Sequence, residues 1–269
     1  MTNRRKSRER WKGSREGNGS GAVRKVVGLL LAITATALTA SAQEVAGTFN
    51  AAVENSSAHV SPSNQTPTPP STDAIETGAN EFGVWGGGSL DSPTLIGSAE
   101  DARFAVAALR YARVLVAGRG LVFKYTVDAI PVATLFYDSY IAIPTGIASD
   151  YRIERRRKSV YAAGLAPIGL QLNFARRRRV QPFASGSVGF LYFKEVIPDN
   201  RSVVFPDERG AQFNYTADFG GGIQVFTRPR RALTFGYKYH HISNGFRVPV
   251  NPGFDSNLFY AGYSFFSDR

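Results

Sequence analysis

The chain has 269 residues, enough for one sizeable domain or two small ones. It contains no cysteine, which excludes disulfides, thiolate metal sites, a cysteine nucleophile and a lipid anchor on an N-terminal cysteine. Its net charge of +11 is unevenly spread, because residues 1–25 hold nine Lys/Arg against two Glu. The remainder is close to balanced, which argues against a domain built to grip nucleic acid.

The basic N-terminal segment precedes "VVGLLLAITATALTA" and then Ala40-Ser41-Ala42. A charged region, about 15 apolar or small residues and a small-residue triplet predict a secretory signal peptide over 1–42. The alternative, an inner-membrane anchor, needs roughly 20 apolar residues. Residues 43–79 are rich in Ser, Thr, Pro, Asn and Ala without apolar periodicity, and read as a disordered spacer. His59 lies there and is assigned no role.

From residue 80 to 269 the texture changes to eight runs rich in Val, Phe, Tyr, Leu and Gly, several with visible alternation. The connectors alternate too. "AGRG", "RRRR" and "RPRR" are tight, whereas "DSPTLIGSAEDA", "DSYIAIPTGIASDYRIERRRKS", "VIPDNRSVVFPDERG" and "NGFRVPVNPGFD" are long. An even number of long strands, with short turns at one end and long loops at the other, predicts an all-β fold. The expected form is an eight-stranded antiparallel transmembrane β-barrel with short periplasmic turns and longer extracellular loops, in the bacterial outer membrane. The soluble alternative is a secreted β-barrel or sandwich. On this topology Arg155, Arg156, Arg157 and Lys158 fall in the second extracellular loop, either as a solubilising run or as partners for lipopolysaccharide phosphates.

In the seventh run, side-chain alternation puts Leu233, Phe235, Tyr237 and Tyr239 on the lipid face and Thr234, Gly236, Lys238 and His240 in the lumen. His241 and Ser243 continue the lipid-facing row. Asp255 shares its row with Phe259, Tyr263 and Phe265. Three polar groups facing lipid at a strand end are costly unless they bond one another. Ser, His and a carboxylate can do so as nucleophile, base and orienting group. The backbone rise separates His241 and Ser243 by about 7 Å, so contact requires a twist or bend there. Asn244, Asn251 and the backbone at Gly245 are candidate oxyanion donors. The plainer reading makes His241 and Ser243 interfacial residues and Asp255 a turn residue. No metal or other cofactor is expected, since His240 and His241 face opposite ways.

The stretch "HHISNGFRVPVNPGFD" resembles the signature of the PagL-type lipid A 3-O-deacylases, also grouped as acyloxyacyl-hydrolase-like outer-membrane proteins. His241, Ser243, Asn244, Gly245, Asn251, Gly253 and Asp255 fall at the family's positions. "EFGVWGGGSLDSP" is similar to relatives as well. The resemblance implies metal-free hydrolysis of the ester-linked 3-hydroxyacyl chain of lipid A in the outer leaflet. Ser243 would be the nucleophile, His241 the base and Asp255 the orienting acid, supported by Asn244, Gly245 and Asn251. Asp255 stands where the best-known members carry Glu. The alternatives are acyl transfer and a non-enzymatic barrel with a structural or adhesive role; a homodimer is compatible with either.

Overall fold

A computed structural model describes residues 75–147 and 150–267. The expected signal peptide, His59 and the spacer up to residue 74 lie outside the described residues. Among these, every regular element is a strand. The strands are β1 (Asn80–Gly88), β2 (Arg103–Ala117), β3 (Leu121–Pro144), β4 (Tyr151–Phe174), β5 (Val180–Asp199), β6 (Arg209–Arg228), β7 (Arg231–Ser243) and β8 (Phe254–Ser267). Each pairs antiparallel with the next, and β1 pairs with β8, from Asn80↔Ser267 to Gly88↔Phe259, which closes the ring.

Alternation decides which side chains go where. Val84, Leu109, Val132, Ile168, Leu170, Val188, Ile223, Phe235 and Phe259 point outward, a band of apolar groups that water would not tolerate but lipid does. The lumen is filled. Lys124 Nζ lies 2.7 Å from Glu81 Oε2, and the Arg110 guanidinium is bidentate on Asp128 at 2.6 and 2.7 Å. Lys238 Nζ lies 3.3 Å from Asp218, above the rings of Trp85 and Tyr260. Buried charges survive here because each meets its counter-charge. Apolar clusters lie within the same barrel, one around Phe104, Leu135, Phe193 and Leu258, the other around Val114, Val122 and Phe226. Ile75, just ahead of β1, is fully buried in the second cluster, and its carbonyl accepts from Arg176 Nε at 2.8 Å.

The connections alternate as the sequence predicts: residues 118–120, 175–179 and 229–230 at one end, and 89–102, 145–150, 200–208 and 244–253 at the other. One expectation is corrected. The Arg155–Lys158 run is not in a loop. β3 and β4 are 24 residues each, about twice what a tilted strand needs to cross a bilayer, and they stay paired out to Pro144↔Tyr151. The run lies on the projecting part of β4, and carboxylates take up all four cations. Arg155 and Arg157 pair with Asp138, Arg156 with Glu154 and Lys158 with Asp199. Charges read from sequence as loop-like are here the cross-strand and same-face glue of a β-hairpin standing above the membrane.

Candidate active site

β7 and β8 pair so that His241 lies directly opposite Asp255. His241 also lies opposite Ala217 of β6, and Ser243 opposite Tyr215. His241, Ser243 and Asp255 all occupy the outward row, at the end of the barrel that carries the long loops. His240 points the other way, into the lumen, where its ring stacks on Phe104 with centroids 4.8 Å apart. Simple alternation along the strand therefore places both histidines.

His241 Nδ1 and Asp255 Oδ1 are 2.6 Å apart. A carboxylate accepts only, so Nδ1 is the protonated nitrogen, which leaves Nε2 with a free lone pair. Asp255 differs from expectation in its surroundings. It is on the outward row, yet only 1% exposed. The loop of residues 89–102 folds over it, and the backbone N–H groups of Ile96 and Gly97 donate to Oδ2, each at 2.9 Å. Tyr239, expected to face lipid, is covered too, with the Phe219 ring 5.2 Å away.

Ser243 and Asn251 are brought together. Asn251 Nδ2 donates to Ser243 Oγ at 3.0 Å, and Oγ approaches Asn251 Oδ1 at 3.3 Å. The amide is oriented by the Asn244 N–H, which donates to Asn251 Oδ1 at 3.0 Å and so turns Nδ2 toward the hydroxyl. The Gly245 N–H donates to Ser243 Oγ at 3.1 Å. Gly245 has φ +67°, a left-handed conformation that favours glycine, and a Cβ there would crowd the Tyr215 ring at 3.1 Å. Asn244 is buried, with Nδ2 donating to the Val250 carbonyl at 2.8 Å across the loop. Among the described residues, no hydrogen bond joins Ser243 to His241. The two halves of the expected triad sit side by side, His241–Asp255 on one and Ser243–Asn251 on the other.

An open groove of about 410 Å³ runs from His241 and Ser243 across the outer wall of β6 and β5 to Pro167 of β4, walled by Val188, Phe190, Tyr215 and Ala217. At its long-loop edge Arg247 lies over the rings of Phe213 and Tyr215, at 4.8 and 5.8 Å. Among the described residues it has no carboxylate partner. Sequence reasoning missed Ile96 and Gly97 because backbone donors leave no side-chain signature. It missed Arg247 because one loop arginine looks like any other.

Residues 145–264 match the model of a known family. That family is lipid A 3-O-deacylase (PagL). The match takes in most of strands β4 to β8, and with them His241, Ser243 and Asp255; the PagL model does not extend to the first three strands or to the loop over Asp255. Comparison with curated proteins finds no match. Solved structures similar to this chain include "the outer membrane enzyme PagL", with 12% identity, a TM-score of 0.42 and coverage of 69% of this chain and 98% of that one. Neisserial surface protein A gives 12% identity and a TM-score of 0.39 over 70% of this chain and 96% of its own. OprG from Pseudomonas aeruginosa gives 8% identity and a TM-score of 0.39 over 73% and 99%.

Proposed function

We propose that this protein is an outer-membrane serine esterase of the PagL type, which hydrolyses the ester-linked 3-hydroxyacyl chain of lipid A. The observation that carries the reading is the His241–Asp255 hydrogen bond on the outer wall, with Ser243 on the same face at the head of an apolar groove. A soluble esterase hides its triad in a cleft. A triad on the outside of a membrane barrel is accessible only to something dissolved in the same leaflet.

The chemistry is set by the donors present. Ser243 Oγ attacks the ester carbonyl while its proton passes to His241 Nε2. Asp255 accepts from Nδ1 and stabilises the imidazolium. The former carbonyl oxygen becomes an oxyanion, and Asn251 Nδ2 and the Gly245 N–H, already aimed at the nucleophile, are the donors within reach of it. Collapse expels the sugar oxygen, which takes the proton from His241. Water, activated by the same histidine, then releases the acyl chain from Ser243. For the first step the serine hydroxyl must leave Asn251 Oδ1 and turn toward His241. Catalytic contacts of this kind commonly form or tighten only with substrate bound.

The groove lined by Val188, Phe190 and Ala217 receives the acyl chain, and Arg247 meets a phosphate of the headgroup. The test is mass spectrometry of lipid A from a Gram-negative host expressing the full chain beside Ser243→Ala and His241→Ala. Loss of one 3-hydroxyacyl chain with the parent alone supports the assignment. Unchanged lipid A beside a folded outer-membrane barrel refutes it and favours a structural role.

A further inference from the structure

We infer that the loop between β1 and β2 is the positioning element for the carboxylate of the triad, a clamp built from the N–H groups of Ile96 and Gly97. The role given to Asp255 rests on the esterase reading above; the clamp itself rests on geometry. An Asp carboxylate turns easily about its last bond, since that torsion is broad and roughly two-fold. Something other than the side chain must hold Oδ1 toward His241. Two amide donors at 2.9 Å converge on Oδ2 while Oδ1 faces Nδ1, and the Tyr239 hydroxyl also lies against this carboxylate. The side chain is nearly inaccessible to water, so no solvent competes for either oxygen.

The loop is pinned where it must be. Ser98 N–H donates to the Pro252 carbonyl at 2.6 Å and Ala99 N–H to the Gly253 carbonyl at 3.2 Å. Ser92 Oγ lies 2.8 Å from the carbonyl oxygens of both Ala99 and Asp255, tying the loop to the backbone of the residue it clamps. The two loops meet glycine to glycine. A Cβ on Gly97 would lie 2.6 Å from Gly253 O and 3.1 Å from Asp255 Oδ1. One on Gly253 would lie 2.9 Å from both Gly97 Cα and His241 Cε1. Any side chain at 97 lifts the loop, and its amides with it. Ile96 and Gly97 touch no reacting atom; they act through Asp255.

The test uses the full chain in detergent micelles, with Ile96→Pro, which deletes one donor, and Gly97→Val, which displaces both. Folding is checked by heat-modifiable migration in gels. The expected result is a fall in kcat of about 10- to 100-fold with KM within about two-fold, the loss of charge-assisted hydrogen bonds without loss of substrate contacts. The downfield proton resonance of the His241 Nδ1–H, present in the parent, should broaden or move upfield. In an Asp255→Ala background the loop substitutions should cost nothing further. From the other side, Asp255→Ala, which leaves the barrel wall intact, should speed amide hydrogen exchange at Ile96 and Gly97 by at least about ten-fold. Folded loop variants with unchanged kcat and resonance, unchanged exchange in Asp255→Ala, or a further loss in the Asp255→Ala background would each overturn the clamp. A parent that shows the resonance and the exchange effect but cleaves no lipid A would refute the esterase reading and leave the clamp standing.

Discussion

Replacing Asp255 by Asn changes one atom, and the clamp decides how much that costs. The amide has one acceptor oxygen and one donor NH₂ to set against the Ile96 and Gly97 amides on one side and His241 Nδ1 on the other, with the Tyr239 hydroxyl also beside it. Ile96 and Gly97 both present N–H groups to the Oδ2 position, so the acceptor must go there; the opposite orientation would set one NH₂ against two N–H groups. The NH₂ then faces His241 Nδ1, where the native carboxylate lies 2.6 Å away. Nδ1 is forced to accept, the proton moves to Nε2, and the nitrogen that should take the serine proton no longer can. A triad held in the wrong tautomer loses about 10⁴ in kcat, or about 5 kcal/mol of transition-state stabilisation. Asp255→Ala imposes no tautomer. Asn, although nearly isosteric, should therefore be at least as damaging as Ala. Hydrolysis of a p-nitrophenyl acyl ester in micelles, under single-turnover conditions, measures both. An Asn variant that keeps more than about a tenth of the parental rate would refute the reasoning.

Gly253→Ala places a Cβ 2.9 Å from His241 Cε1 at φ +67°, and should cost about 1–2 kcal/mol of backbone strain and lower kcat in the same ester assay. Arg247→Ala should raise KM for lipid A several-fold while leaving an uncharged p-nitrophenyl ester unaffected, because only the former offers a phosphate. Lys124→Met strands the Glu81 carboxylate in the lumen and should lower stability by about 3–5 kcal/mol in urea unfolding from lipid vesicles. Adding Glu81→Gln to that variant should restore much of the loss, since Gln can still accept from Gln224 Nε2, now 2.9 Å from Glu81 Oε1.

The barrel was legible because alternation is a local signal: Leu233, Phe235 and Tyr237 against Lys238 and His240 assign each side chain to lipid or lumen without knowledge of any partner strand. The site was half legible for the same reason. His241 and Ser243 are two apart on one strand, and Asp255 comes on the next, so one hairpin register brings the first and last together. The adjustments around it were not. The clamp depends on a backbone segment about 160 residues away in sequence. The contact of Ser243 with Asn251, in place of His241, is set by the curl of the 244–253 loop, which passes through left-handed conformations at Gly245, Phe246 and Gly253. The arginine run on β4 was misplaced because strands are recognised by what they bury, and a hairpin projecting above a membrane buries little.

The β1–β8 seam has a consequence in time. His241, Ser243 and Asp255 all arise from the last hairpin of the chain, whereas the amides that hold Asp255 come from the first loop. Those two parts become neighbours only when β1 pairs with β8. A chain still in transit, or a barrel not yet sealed, carries every triad side chain and lacks the grip that aligns them. On the esterase reading proposed above, the triad gains its grip only where the β1–β8 seam has closed.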